Sequence, residues 1–389
     1  MNPAVNPTTL TTRTAPAAPV PDGAPAPARR AVLAATLAAA GALTLAACSQ
    51  GSGSNATMKV IIIAKSYQNQ FYQAAFRGAQ DAADELNVQL ETNGPDAESN
   101  VSQQVEQLSA AVNQGPAAIA LAACQPDAVQ DALVSARSRD IPVIGFDSGV
   151  PDDASGAVVA TATTDNTVAG GNVATNLAQD KSLVSAVTSA TADSPAVIGV
   201  LAQDSTSGSI VQRVDGFVDT LVTELEALDG LAGAVDVSGQ QRWTQASSEP
   251  ARVRIVVTVP PTTSQADIQS AATSVLSTTG LVALFAANQD AVNGVISATG
   301  DATALDRSSG TYKDLLVVGF DAGRSQKDAV SSGAFLGSVT QDPYQMGYQA
   351  VTLAVRAANG ETVQDVDTGS HWYTASNIDD TEISELLYD

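Results

Sequence analysis

Two heptapeptides, VIGFDSG at Val143 to Gly149 and VVGFDAG at Val317 to Gly323, constrain this chain more than any other feature. Each opens as a short apolar run, which reads as a buried strand. Each closes on Gly-Phe-Asp, a small residue and a glycine, the composition of a turn. One carboxylate, Asp147 or Asp321, is thereby set at the C-terminal edge of a strand, where open α/β sheets hold their ligands. Two copies in one chain predict two such sheets facing a common cleft.

The stretches around the heptapeptides supply the rest of both sheets. From Met58, the β-branched run KVIIIAK is followed by FYQAAFRGAQDAADEL, with apolar residues at helical spacing. The strands VQLETNG, AAIALAA and IPVIGFD then alternate with helical ESNVSQQVEQLSAAVNQG and DAVQDALVSARSRD, and the series stops near VVATATTDN. It restarts with helical TVAGGNVATNLAQD, SIVQRVDGFVDTLVTEL, SQADIQSAATSVLSTT and QDAVNGVISATG, between the strands AVIGVLAQ, RVRIVVTVP, LVALFAAN and LLVVGFD. Such alternation builds doubly wound parallel sheets with right-handed crossovers. The fold class is therefore α/β, with two similar doubly wound parallel-sheet lobes, residues 58–164 and 165–341. DPYQMGYQAVTLAVRAANG is a further helix, with Pro343 near its start and Gly360 past its end; periodicity does not say which lobe it joins. Lys181 to Ser194 and Leu231 to Arg252 have no firm period and read as surface excursions.

With 389 residues and 44% hydrophobic side chains, the chain can bury one large core or two medium ones. Its formal charge of −23 leaves no basic stripe for phosphates, which excludes nucleic acid as a partner. Arg29 and Arg30 precede AVLAATLAAAGALTLAACSQ, an apolar run of signal-peptide length that stops at small residues before Cys48. Leu-Ala-Ala-Cys resembles the lipobox of bacterial lipoproteins. Residues 1–47 are thus expected to be a signal peptide with a long N-terminal region, exported by the general or the twin-arginine route. Residues 48–57 are expected to be a lipidated Cys48 and a Gly/Ser tether, placing the protein outside the cytoplasm on a lipid anchor. Cys124, the other cysteine, then lacks a disulfide partner and reads as a buried, inert thiol.

Few residues are available for covalent chemistry. His371 is the single histidine, and no nucleophile triad assembles around it. No dinucleotide fingerprint, P-loop, His/Cys metal spacing or EF-hand loop occurs, so neither a cofactor nor a metal is expected. What remains is a set of polar groups at strand ends. Asp147 and Asp321 would accept hydrogen bonds from the hydroxyls of a polyol, and Phe71 and Tyr72, at a helix start, would cover the C–H face of a sugar ring. Arg213 offers forked donors, Asn288 a donor and an acceptor, and Gln341 ends a strand. Each has an ordinary reading as turn, cap, core or surface ion pair; their coincidence at the strand ends of both lobes favours a shared cleft. Paired carboxylates also cleave glycosides, which makes a lipid-anchored glycosidase using Asp147 and Asp321 the alternative.

Seven segments in order, KSYQNQFYQAAFRGAQDAADEL, IPVIGFDSGV, ATTDNTVAGGNVA, IVQRVDGF, LFAANQDAVNGV, LLVVGFDAG and VTQDPYQMGYQAV, resemble the ribose-, galactose- and allose-binding class of periplasmic binding proteins, the solute-binding subunits of ABC sugar importers. The resemblance implies a type I periplasmic binding protein-like fold whose lobes are joined by a three-segment hinge. The N-terminal lobe would be 58–164 plus about 342–366, and the C-terminal lobe 165–341 plus about 367–389. It implies a monomer that captures a monosaccharide, hexose or pentose, and delivers it to the transmembrane subunits of an ABC permease. Lys65, Asn69, Phe71, Tyr72 and Asp147 would be contacts from one lobe, Arg213, Asn288 and Asp321 from the other, with Gln341 at a crossing. Asp165 and Asn166 look like the first hinge crossing. Ser148 stands where ribose binders carry Arg, and Ala122 where some members carry Asn. Trp243 is a candidate for a second-lobe aromatic only if the segment from Leu231 to Arg252 folds inward. A nucleoside or a signalling furanosyl compound is the variant ligand on the same fold; a sugar-responsive transcription regulator would need a basic headpiece that the chain lacks.

Overall fold

The computed structural model describes residues 57–388 apart from residue 152. The signal peptide, the lipidation of Cys48 and nearly all of the tether expected from the sequence lie outside these residues.

The first series of elements runs β1 (Lys59–Ile63), α1 (Gln70–Leu86), β2 (Gln89–Asn93), α2 (Val101–Gln114), β3 (Ala118–Leu121), α3 (Gln130–Ser138), β4 (Val143–Phe146) and β5 (Val158–Thr163). The second begins with α4 (Asn166–Ala178), α5 (Lys181–Ser189), β6 (Ala196–Leu201), α6 (Gly208–Glu226), β7 (Val235–Gly239) and β8 (Val253–Thr258). It continues with α7 (Gln265–Leu276), β9 (Leu281–Ala286), α8 (Gln289–Ala298), β10 (Leu316–Phe320), α9 (Arg324–Ser331) and β11 (Gly337–Gln341). The chain ends with α10 (Pro343–Ala358), β12 (Val366–Asp367), β13 (Ser370–Tyr373) and α11 (Thr381–Ser384).

The strands form two sheets, ordered β12-β5-β4-β3-β1-β2 and β13-β11-β10-β9-β6-β8-β7. All pairings are parallel except β11 with β13, an antiparallel edge. Helices cover both faces, so the central strands are apolar throughout: Val60 to Ile63 of β1 and Ala283 to Ala286 of β9 are fully buried. Each isoleucine so buried contributes roughly 1.5–3 kcal/mol relative to exposure.

Three crossings join the sheets: β5 to α4, β11 to α10, and β12 to β13. Hydrogen bonds lace them together. Thr368 N–H donates to Thr163 O at 2.9 Å, Thr164 Oγ1 to Gly369 O at 3.0 Å, and Asp165 N–H to Asp367 Oδ1 at 3.1 Å. The late helix α10 packs on α1 and over β3, β4 and β5 of the first sheet.

Two segments depart from expectation. Lys181 to Ser194 contains helix α5, capped by Asp180, whose Oδ1 accepts from Ser182 N–H at 2.7 Å, and held by the buried pair Leu183 and Val187 one turn apart. Leu231 to Arg252 contains β7, an edge strand with no counterpart in the first sheet, and a short 3-10 turn ending at Trp243. Short length and flanking polar residues hid both from periodicity.

Each lobe also has one helix pair in close approach. A Cβ at Gly78 of α1 would run into the carbonyl oxygen of Tyr344 in α10, and one at Gly170 of α4 into that of Arg213 in α6. Helix propensity alone would make Gly→Ala stabilising by up to about 1 kcal/mol. Overpacking works against this. Gly78→Ala and Gly170→Ala are each expected to lose about 1–3 kcal/mol in urea unfolding; a gain in stability would show that the backbones separate freely.

Candidate functional site

The site begins where the two heptapeptides leave their strands. Asp147 follows β4 and Asp321 follows β10, and both adopt left-handed backbone, with φ of 53° and 74°. Aspartate tolerates this conformation better than bulky residues do. Each turn is tied to the next strand of its own sheet: Asp147 N–H donates to Ala162 O at 3.1 Å, and Asp321 N–H to Val339 O at 2.7 Å. Both residues are buried.

In the first lobe the Asp147 carboxylate meets Tyr72 and Lys65. Tyr72, in the first turn of α1, donates its hydroxyl to Asp147 Oδ2 at 2.7 Å. The Lys65 ammonium, just past β1, lies 3.5 Å from Asp147 Oδ2 and 3.5 Å from Glu98 Oε2. Burial alone would lower the pKa of Lys65, but the charges of Glu98, Asp147 and Asp204 outweigh it and hold the group above its ordinary value. Burial and the Asp147 charge keep the Tyr72 phenol protonated, as a donor must be. Asn69 caps α1 by accepting from Phe71 N–H at 2.9 Å. The rings of Phe71 and Tyr72 meet edge to face, their centroids 5.1 Å apart.

In the second lobe Arg213, on α6, places its guanidinium carbon over the Phe320 ring, 3.5 Å from the centroid. Its fork is engaged within the protein: Nε and Nη2 donate to Asn166 Oδ1 at 3.2 and 2.8 Å, and Nη1 donates to Ala287 O at 2.7 Å. Nη1 is 3.9 Å from Asp321 Oδ2. Asp321 Oδ2 also accepts from Gln289 N–H at 2.9 Å, and Oδ1 accepts from Gln341 Nε2 at 2.5 Å. Asn288 caps α8 through Ala291 N–H at 3.0 Å and donates to Gln203 Oε1.

The lobes face each other across these groups. Lys65, Asn69, Phe71, Tyr72, Asp147, Arg213, Asn288, Asp321 and Gln341 all line one cavity. Side chains close its rim from both sides. Gln203 Nε2 donates to Glu98 Oε2 at 3.0 Å, Ser148 Oγ lies 2.8 Å from Ser207 Oγ, and Lys65 Nζ donates to Ser207 Oγ at 3.3 Å.

Trp243 does not join the cavity. It is buried in the second-lobe core and donates Nε1–H to Asp215 Oδ1 at 2.6 Å, so this segment folds inward but against α6. The further aromatic behind the cavity comes instead from the C-terminal segment. The Tyr388 ring packs edge-on to Phe71 at 5.9 Å, and its hydroxyl accepts from Ala322 N–H at 3.1 Å. Asn166, read as a hinge residue, is what holds Arg213. Glu98, Gln203 and Gln289 escaped the sequence reading too. All three follow strands at the sheet edge where ligands gather, a positional signal; Tyr388 carried none. Cys124 is buried with its Sγ 3.5 Å from Lys65 O, and burial pushes its thiol far up.

Two parallel sheets closing on a buried, acceptor-rich cavity, with three chain crossings between them, define a two-lobed ligand-binding protein. The chain belongs to the periplasmic binding protein domain family, which matches residues 60–362. It is 24% identical over 317 residues to the ribose import binding protein RbsB of Haemophilus influenzae, covering 80% of this chain and 90% of the relative. Among solved structures, an ABC transporter, LacI family transcriptional regulator from Brachyspira murdochii is 34% identical, with a TM-score of 0.72 over 86% of this chain and 100% of that one. A carbohydrate transporter solute binding protein from Agrobacterium radiobacter, in complex with D-arabinose, is 26% identical, with a TM-score of 0.67 over 86% of this chain and 99% of that one. The family is one of binding proteins and not of enzymes. Among the described residues no helix is long and apolar enough to cross a membrane.

The buried acids make stability depend on pH. Burial and the Glu98 charge lift Asp290, in the first turn of α8, from the ordinary 3.8 to about 7. Burial raises Glu98 and Asp321 as well. A carboxyl raised in the folded state binds its proton more readily there than in the unfolded chain. The cost of ionising it is therefore absent below the unfolded value and complete above the folded one. Stability should fall as pH rises from about 4 to about 7. Asp290→Asn is expected to gain about 1–3 kcal/mol at pH 8 and almost nothing at pH 4, measured by urea unfolding at both.

Proposed function

We propose that this protein is the extracytoplasmic solute-binding lipoprotein of an ABC importer, capturing a monosaccharide between its lobes by hinge closure and delivering it to a membrane permease. The observation that carries this reading is the chemistry of the cavity wall. Asp147, Asp321, Glu98, Gln289 and Gln341 present acceptors from both lobes, while three of the five N–H donors of Arg213 are held by Asn166 and Ala287. A guest rich in hydroxyl donors fits such a wall, and Phe71 and Tyr72 supply the apolar plate that a pyranose or furanose ring covers. The ribose named for the Haemophilus relative and the D-arabinose held by the Agrobacterium structure are guests of this kind.

Closure follows from the same geometry. A ligand stabilises the closed form only by the contacts it makes there and not in the open form, and residues from both lobes supply such contacts. Hydrolysis is disfavoured, because glycoside cleavage needs two carboxylates at a fixed separation across the scissile bond, whereas Asp147 and Asp321 stand on separate lobes suited to capture and release. Lipidation at Cys48 would keep the receptor beside its permease.

The test is a melting screen of the purified protein against pentoses and hexoses, followed by titration calorimetry. A true ligand at 100 times its dissociation constant adds about 2.7 kcal/mol of stability. Asp147→Asn and Asp321→Asn are each expected to weaken its binding at least tenfold, with unaltered sugar recovered from the complex. Unchanged affinity in both variants, or no monosaccharide that binds, would reject the reading. Detergent-phase partitioning of cell extracts tests the anchor: Cys48→Ala is expected to move the protein to the aqueous phase.

A further inference from the structure

Gln289 opens α8 between Asn288 and Asp290. Its side chain is buried and borders both the inner cavity and an outer groove that also takes in Gln70, Glu98 and Asp290. Three of its polar groups have distinct surroundings. The backbone N–H donates to Asp321 Oδ2 at 2.9 Å. The side-chain Nε2 reaches across the lobes to Gln70 Oε1 at 3.1 Å. The side-chain Oε1 is buried and has no hydrogen-bond partner among the described residues.

Gln341 repeats the pattern on the neighbouring wall. Its Nε2 must face the Asp321 carboxylate, which only accepts, so its carbonyl is the end left over. Gln341 Oε1 likewise lacks a partner among the described residues. A buried carbonyl without a donor is costly, and two of them on one cavity wall call for donors from a guest. Space is kept for the bridge as well: a Cβ at Gly323, in the turn after Asp321, would press on Gln289 Nε2 and Gln70 Oε1.

We propose that Gln289 is a specificity-determining residue of this site: its side-chain carbonyl accepts a hydrogen bond from one ligand hydroxyl while its amide N–H ties the lobes together through Gln70. The inference rests on the sugar-binding reading and goes beyond it by assigning one amide both recognition and closure. Recognition and closure are then coupled, because a hydroxyl that fixes the Gln289 carbonyl also orients its amide toward Gln70.

The experiment uses the unmodified protein, Gln289→Met and Gln70→Met, with the tightest monosaccharide of a panel that includes D-ribose and D-arabinose. Each is titrated with that sugar and its singly deoxygenated and deoxyfluoro analogues. Methionine keeps length and packing while removing the amide. One deoxy position is expected to cost the unmodified protein about tenfold in affinity and to cost Gln289→Met almost nothing. The deoxyfluoro analogue at that position, which accepts but cannot donate, is expected to lose as much as the deoxy sugar. Gln70→Met is expected to weaken every sugar by a common factor and to leave their ranking intact. If no position loses its penalty in Gln289→Met, or if the fluoro analogue binds like the parent sugar, the assignment of Gln289 is overturned while the sugar-binding reading stands. If the unmodified protein binds no sugar, both fall.

Discussion

Asp321 is the group around which the second lobe and the cleft are organised. Its backbone holds a left-handed turn in which N–H donates to β11, while its carbonyl accepts from Gln326, Ser338 and the Tyr373 hydroxyl. Its carboxylate gathers Arg213 from α6, the start of α8 through Gln289, and the end of β11 through Gln341. A carboxylate taken out of water needs this many partners, since burial alone pushes it toward protonation. The same contacts fix the directions in which the surrounding side chains face the cavity.

The first lobe solves the same problem with different chemistry. Asp147 occupies an equivalent turn, but its carboxylate is balanced by a phenol and an ammonium from α1 and the segment after β1. Lys65 in turn answers to Glu98, which is bonded to Gln203 of the opposite lobe, which accepts from Asn288. A chain of polar side chains therefore runs across the cleft beside the cavity. Separating the lobes would expose these groups to water, which would compensate for the lost bonds.

Close backbone approach supports both halves. Gly78 beneath Tyr344 brings α10 onto α1, whose first turn carries Phe71 and Tyr72, and Gly170 beneath the Arg213 carbonyl seats α6 and its guanidinium. Behind the Phe71 ring stands Tyr388, reaching back from the chain's end to the turn after Asp321. The aromatic plate is thus set from behind by residues that never touch the cavity.

The alternation of apolar runs and amphipathic stretches, and the repeated Gly-Phe-Asp turns, were enough to define two doubly wound sheets with an acid at each central edge, because period and turn chemistry are local properties. Nine residues read from strand ends and family likeness do meet around one cavity. Helix α5 and strand β7 were missed because short elements carry few periods, and Trp243 was misplaced because a core contact with Asp215 leaves no local mark. That Arg213 is bonded to Asn166 and Ala287, and that Gln289 bridges to Gln70, depend on side chains far apart in the chain. Hydrogen-bond partnership is settled by three-dimensional proximity, so only the tertiary structure decides it.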